Sequence, residues 1–226
     1  MNAPVYELTG VEHRYGGRIA LSCERLVVRP GRIVGIKGPN GAGKSTLLAV
    51  MAFLAAPTRG SVRFMGEETA GSTDVRLRRQ AVLMPQDPAL LRRKVRENVL
   101  YGLKVRGVSG GRAAEEALEL VGLDPALYLD RWWWELSGGE ARRVALAARL
   151  ALDPKVLLLD EPTASLDPES AGLVLAALRS ARDGGLTVVA VSHDSEWLES
   201  ASDDMYRLDP REGINPVRLE NVQCAP

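Results

Sequence analysis

Long apolar runs are missing from this sequence. No stretch of its 226 residues approaches the ~18 consecutive apolar positions that cross a bilayer, so no membrane span is expected. The opening MNAPVYELTG lacks the basic and apolar regions of a secretory leader, and a cytosolic location is expected from it. Excess charge of one sign is missing too. Twenty-nine Lys and Arg balance 29 Asp and Glu, which argues against a chain whose main task is coating nucleic acid, so no nucleic-acid partner is expected. Cysteine is scarce: Cys23 and Cys224 stand alone and far apart, with no CxxC or His/Cys cluster. A zinc site or a disulfide framework is therefore not expected. What is present is ordinary globular composition, 46% hydrophobic and 26% charged, at a length that suits one large domain or two small ones.

Apolar runs and helical spacing alternate along the chain. VYELTGVEHRY and ALSCERLVV alternate as antiparallel strands do, and RIVGIKG is a short buried strand followed by glycines and an apolar helix, STLLAVMAFLAA. SVRFMG and AVLMPQ read as further strands. From about Asp87 to Leu150 the pattern is helical, since RENVLYGL, RAAEEALELVGL and EARRVALAARLAL carry the 3.6-residue spacing. Strands return as KVLLLD and LTVVAVSH, separated by a helix over ESAGLVLAALRSARDG. Continuous apolar runs such as VLLL and VVAV suit a parallel sheet covered on both faces, and their alternation with helices implies an α/β fold.

Gly38-Pro39-Asn40-Gly41-Ala42-Gly43-Lys44-Ser45 matches the phosphate-binding pattern GxxxxGK[ST], after a predicted strand and before a predicted helix. Glycines let backbone N–H groups curl around phosphate oxygens. Lys44 adds positive charge, the helix N-terminus adds its dipole, and the Ser45 hydroxyl can ligate Mg²⁺. The bland alternative is a glycine-rich turn with an incidental lysine, and the strand-turn-helix context weighs against it.

The run Val156–Leu159 ends in two carboxylates, Asp160 and Glu161. Ligands of open α/β sheets bind beyond the carboxyl ends of strands, where these two side chains would sit. There Asp160 can hold Mg²⁺ through water, and Glu161 can polarise an attacking water. Leu136-Ser137-Gly138-Gly139-Glu140 opens another helix and is a second potential anion cradle. Ser137 and Glu140 also have the spacing of a capping box, and on that segment alone the cap is the preferred reading.

Together these motifs resemble the ATP-binding subunit of ABC transporters, over nearly the whole chain and in the family's order. Tyr15 resembles the aromatic that stacks on adenine, and Gly38–Thr46 the Walker A loop. Gln86 resembles the Q-loop glutamine, LSGGE the LSGGQ signature, and Asp160 and Glu161 the Walker B pair. Ser165-Leu166-Asp167 resembles the D-loop and His193 the switch histidine. The resemblance implies one ATP-binding domain over residues 1–226. Its P-loop NTPase core, 1–86 and 151–226, would carry an antiparallel β layer and be interrupted by a helical subdomain over 87–150. Glu140 departs from the commoner glutamine; a carboxylate suits a helix N-terminus and would be unwelcome only if it pointed at the γ-phosphate.

The resemblance also implies a mechanism. Lys44 and the loop amides, Thr46 included, hold the phosphates of ATP, and Ser45, Gln86 and Asp160 organise Mg²⁺. Glu161 is the base or water-orienting carboxylate, and His193 contacts the γ-phosphate. One chain has a single lysine-bearing loop but two anion cradles. A head-to-tail dimer with a second copy resolves this, each ATP lying between one chain's P-loop and the other's signature, Ser137, Gly138 and Gly139, with Asp167 of the D-loop also counted among the nucleotide-binding residues. Without a span of its own, the chain is expected to sit at the inner face of the cell membrane on separate permease subunits, with a solute-binding protein completing the system. AFLAAPTRGSVRF, MPQDPALL and the ending look like prokaryotic importer subunits, most like those serving oxyanions such as tungstate or molybdate. The rivals are a soluble non-transport ABC ATPase and an exporter subunit. Finally, Trp132-Trp133-Trp134 cannot all enter one core, because neighbouring side chains diverge. At least one indole is expected on the surface, either packed against the permease or another chain, or incidental there while the other two fill the subdomain core.

Overall fold

The computed structural model describes residues 3–69, 74–209 and 213–217. The chain opens with a hairpin of β1 (Tyr6–Tyr15) and β2 (Arg18–Val28), paired antiparallel from Tyr6↔Val28 to Tyr15↔Arg18. Next come β3 (Ile33–Lys37), α1 (Lys44–Met51), β4 (Arg59–Phe64) and β5 (Glu67–Glu68). The outer strands form an antiparallel sheet in the order β2-β1-β4-β5. After α2 (Val75–Gln80) and β6 (Ala81–Met84) the chain turns helical, with α3 (Val95–Val105), α4 (Ala113–Leu120), α5 (Pro125–Tyr128) and α6 (Gly138–Leu150). It closes with β7 (Val156–Asp160), α7 (Pro168–Asp183), β8 (Thr187–Val191), α8 (Ser195–Ala201), β9 (Asp204–Asp209) and β10 (Gly213–Val217).

The second sheet has the order β10-β9-β3-β8-β7-β6, parallel throughout except for β10. Strands β6, β7 and β8 read as near-continuous apolar runs because both faces are covered, and alternate residues serve different cores. Val34, Ile36, Leu158 and Val189 face the antiparallel sheet and α1. Ile33, Leu157, Leu159 and Val188 face the other way, toward α3, α4, α6 and α7. The fold is thus α/β, with an antiparallel layer on one side of the sheet and helices on the other.

One sequence expectation is corrected by the structure. The helix read over STLLAVMAFLAA ends at Met51, because Phe53 takes a positive φ of 57°. Its ring packs against Tyr6 and Phe64, and the buried Tyr6 hydroxyl donates to the Met51 carbonyl at 2.6 Å, satisfying one of the groups a helix end leaves open. Tertiary packing thus outweighs local helical preference. The last two strands and α8 have no counterpart among the sequence expectations. Cys23 is buried with its thiol pushed up to about 12 by desolvation; Cys224 lies outside the described residues.

Candidate functional site

Register puts the chemistry in one place. In the neighbouring strands β3, β8, β7 and β6, Ile36 pairs with Val191, Asp160 with Val191, and Met84 with Leu159. Their carboxyl ends therefore lie side by side. The glycine loop follows β3, His193 follows β8, Asp160 and Glu161 end β7, and Gln86 follows β6.

The loop after β3 curls where it must. Gly43 has a φ of 97°, and a Cβ there would meet the Ala20 carbonyl oxygen at 2.3 Å, so no side chain fits. Gly43 is followed at once by α1, whose open N–H groups face the loop. Lys44 is buried, and its Nζ donates to the carbonyls of Gly38 at 2.8 Å and Pro39 at 3.2 Å. The ammonium is thus held over the loop by its own backbone.

Across the cleft, burial pushes the Asp160 carboxyl above its ordinary range. A hydrogen bond from Ser45 opposes that shift, neighbouring Glu161 adds to it, and Lys44 opposes it again. Glu161 is 7% exposed and has a positive φ of 50°, a backbone position rare for a residue with a side chain and frequent at functional sites. Its carboxylate accepts from Ser192 Oγ at 3.0 Å and from the His193 backbone N–H at 3.0 Å, and His193 Nδ1 stands 2.8 Å from Oε2.

A cleft of about 520 Å³ gathers Tyr15, the loop from Asn40 to Thr46, Gln86, Asp160 and Glu161. Tyr15 stands at its rim, 58% exposed, with the edge of His13 against it at 4.5 Å. Arg18, Ile19 and Ala20 of β2 complete one wall. Sequence reasoning missed that wall, because only the pairing of the hairpin brings Arg18 beside Tyr15.

Ser137, Gly138, Gly139 and Asp167 do not border this cleft. Ser137 caps α6, accepting from the Glu140 N–H at 3.2 Å while Glu140 accepts from the Ser137 N–H at 2.7 Å, which is the capping box. Asp167 caps α7 by accepting from Ser170 N–H at 2.8 Å. Gly138 lines a separate cleft of about 430 Å³ with Ala164, Ser165, Leu166 and Arg142, and Gln86 borders both clefts. Glu140 turns back onto α5. Tyr128 donates to it at 2.5 Å and this bond holds its carboxyl below the usual value, helped by the Ser137 N–H and by Arg131. Trp132 and Trp134 stack in parallel at 4.7 Å and are 39% and 59% exposed, whereas the Trp133 indole nitrogen is buried.

The family model for the ABC transporter matches residues 24–164. The chain is 37% identical to a phosphate import ATP-binding protein of Natronomonas pharaonis, over 97% of this chain and 82% of the relative. It is 34% identical to the ATP-binding protein of a tungstate uptake system of Peptoclostridium acidaminophilum, over 89% and 93%. Among solved structures, a dimeric ATP-binding cassette in a post-hydrolysis state with ADP and Pi superposes with a TM-score of 0.83 at 29% identity, covering 96% of this chain and 99% of that one.

Proposed function

Because the chain belongs to the ABC transporter family, as an ATP-binding and ATP-hydrolysing member, we propose that it is the subunit powering a membrane importer, closing with a second copy around two ATP. One observation carries the reading: the lysine-bearing loop, Gln86 and the Asp160–Glu161 pair converge on a single cleft, while Ser137 to Gly139 and Asp167 lie away from it. A nucleotide in that cleft keeps one side uncovered by its own chain. The partner's signature segment supplies that side in a head-to-tail dimer.

In the proposed roles, the amides of Gly38–Thr46 and Lys44 hold the β- and γ-phosphates and Tyr15 stacks on adenine. Ser45, Gln86 and Asp160 offer hydroxyl, amide and carboxylate oxygens at the same cleft, a hard-oxygen set that fits Mg²⁺. The half-buried Asp160 carboxylate favours a cation there. When bound, the ion neutralises charge on the phosphate oxygens. Glu161 orients a water and takes its proton as the water oxygen bonds to the γ-phosphorus and the bond to ADP breaks, releasing ADP and phosphate. His193 steadies Glu161 and reaches the γ-phosphate. Loss of that phosphate removes the contacts to Ser137 and Gly139 of the other copy and lets the halves part.

Residues 1–226 then act as one ATP-binding domain whose segment 87–150 docks permease subunits, with Trp132 and Trp134 at that surface. Among the described residues no helix is long and apolar enough to cross a membrane, and the chain is held peripherally at the inner face through those subunits. A small oxyanion, such as tungstate, is the proposed cargo, supported by relatives named for phosphate and tungstate import; a solute-binding protein delivers it. The test is phosphate release from MgATP by the purified chain, followed by co-purification with its permease and oxyanion uptake into vesicles. Absence of ATP hydrolysis by the chain and its permease complex sinks the reading. Hydrolysis without permease binding points instead to a non-transport ATPase.

A further inference from the structure

Arg142 lies four residues from the start of α6, on the signature helix, and none of the roles above uses it. Its guanidinium donates through one terminal nitrogen to the carbonyl of Ala164 and through the other to the carbonyl of Gln86. These acceptors lie 22 and 56 residues away in sequence, on two different loops. Ala164 precedes Ser165, whose φ of 61° sets the path of the loop toward Asp167. Gln86 borders both the P-loop cleft and the cleft that Arg142 itself lines.

We propose that Arg142 is a positioning residue, a clamp through which the place of the signature helix is passed to Gln86 and to the loop carrying Ser165 and Asp167. A planar guanidinium presents donors in a rigid fork, so two carbonyls bound at once are fixed relative to each other and to the helix. Moving α6 without breaking the fork moves the Gln86 backbone, and with it a residue that borders the nucleotide cleft. Lysine reaches the same space with a point charge but lacks the planar fork. The inference rests on the ATP-hydrolysing reading of the site.

The experiment measures steady-state ATP hydrolysis and thermal melting for the wild type, Arg142→Ala, Arg142→Lys, Gln86→Ala and the double variant Gln86→Ala/Arg142→Ala. Arg142→Ala is expected to lower kcat roughly tenfold, the scale of losing charge-assisted hydrogen bonds, with KM for ATP within about twofold. Arg142→Lys recovers part of the rate. In the Gln86→Ala background the further loss is much smaller, because residues acting as one unit are not additive. Wild-type kcat in a folded Arg142→Ala or Arg142→Lys variant overturns the proposal, as does full additivity with Gln86→Ala. If Arg142→Ala does not fold, the lysine variant carries the same test. A wild type that never hydrolyses ATP overturns the underlying function instead, which keeps the two failures apart.

Discussion

His193 Nδ1 lies 2.8 Å from Glu161 Oε2, so the side chain proposed to reach the γ-phosphate also grips the carboxylate proposed to take the proton. The His193 side chain is 68% exposed and that of Glu161 only 9%, so a surface group controls a buried one. Two further donors, Ser192 Oγ and the His193 N–H, hold the carboxylate whatever the imidazole does.

Substituting His193→Ala therefore leaves Glu161 in place but unsteered. Turnover is expected to fall on the order of 10²-fold, the lower end of what a positioned acid–base group contributes, and ATP affinity to fall far less, since one γ-phosphate contact among many is lost. Ser192→Ala removes one hydrogen bond, worth about 1 kcal/mol, and should slow turnover only several-fold. Steady-state kinetics with a fluorescent-nucleotide titration checks both. Equal losses in the two variants would contradict the ranking.

Tyr15→Ala is expected to weaken ATP binding by about 1–3 kcal/mol, the scale of base–aromatic stacking. Tyr15→Phe keeps the ring face and should bind like the wild type. Calorimetric titration decides, and unchanged affinity in the alanine variant returns Tyr15 to a packing role against His13.

Asp160→Asn should raise the melting temperature of the nucleotide-free chain at pH 7 while weakening MgATP binding. The sign follows from burial. The folded carboxyl titrates above its unfolded value, so protonation favours the fold, and ionisation costs stability at neutral pH. That cost fades as pH falls through the raised folded value. Melting curves of both proteins should converge on acidification. A gap that widens instead would mean that the charge is stabilised.

For the tryptophans, Trp133→Ala should lower folded stability, by less than the ~3–5 kcal/mol of a fully buried indole. Trp132→Ala and Trp134→Ala lose about 0.5–1.5 kcal/mol of stacking but should selectively reduce permease co-purification. If neither exposed variant affects the partner, the docking role fails.

How legible all this was depended on the kind of signal. Val156–Asp160 and Thr187–Val191 announced themselves because strands covered on both faces are apolar throughout, and the glycine loop because Gly43 has no room for a side chain. The strand Asp204–Asp209 was not readable, since its charged residues interrupt the apolar pattern and only pairing with β3 and β10 defines it. The early end of α1 was hidden too, as it depends on the Tyr6 hydroxyl 45 residues away. Arg142 gave no signal at all. On a helix it reads as one more arginine, and its carbonyl partners exist only in the fold. The indole triplet was half legible. Divergent directions predicted an exposed ring, but the stacking of Trp132 on Trp134 across Trp133 needed the turn at Trp133–Glu135.

The central claim is a site completed by a second copy. The most direct measurement is the mass of Glu161→Gln by light scattering after size exclusion, with MgATP, with MgADP and with neither. The substitution leaves the glycine loop, Lys44 and Asp160 intact, so ATP still binds, but its turnover stops. The account predicts twice the monomer mass with MgATP alone, and reversal of that dimer by two further changes, Ser137→Ala and Gly139→Asp. A chain that binds saturating MgATP and remains a monomer, or a dimer indifferent to the signature changes, would contradict it.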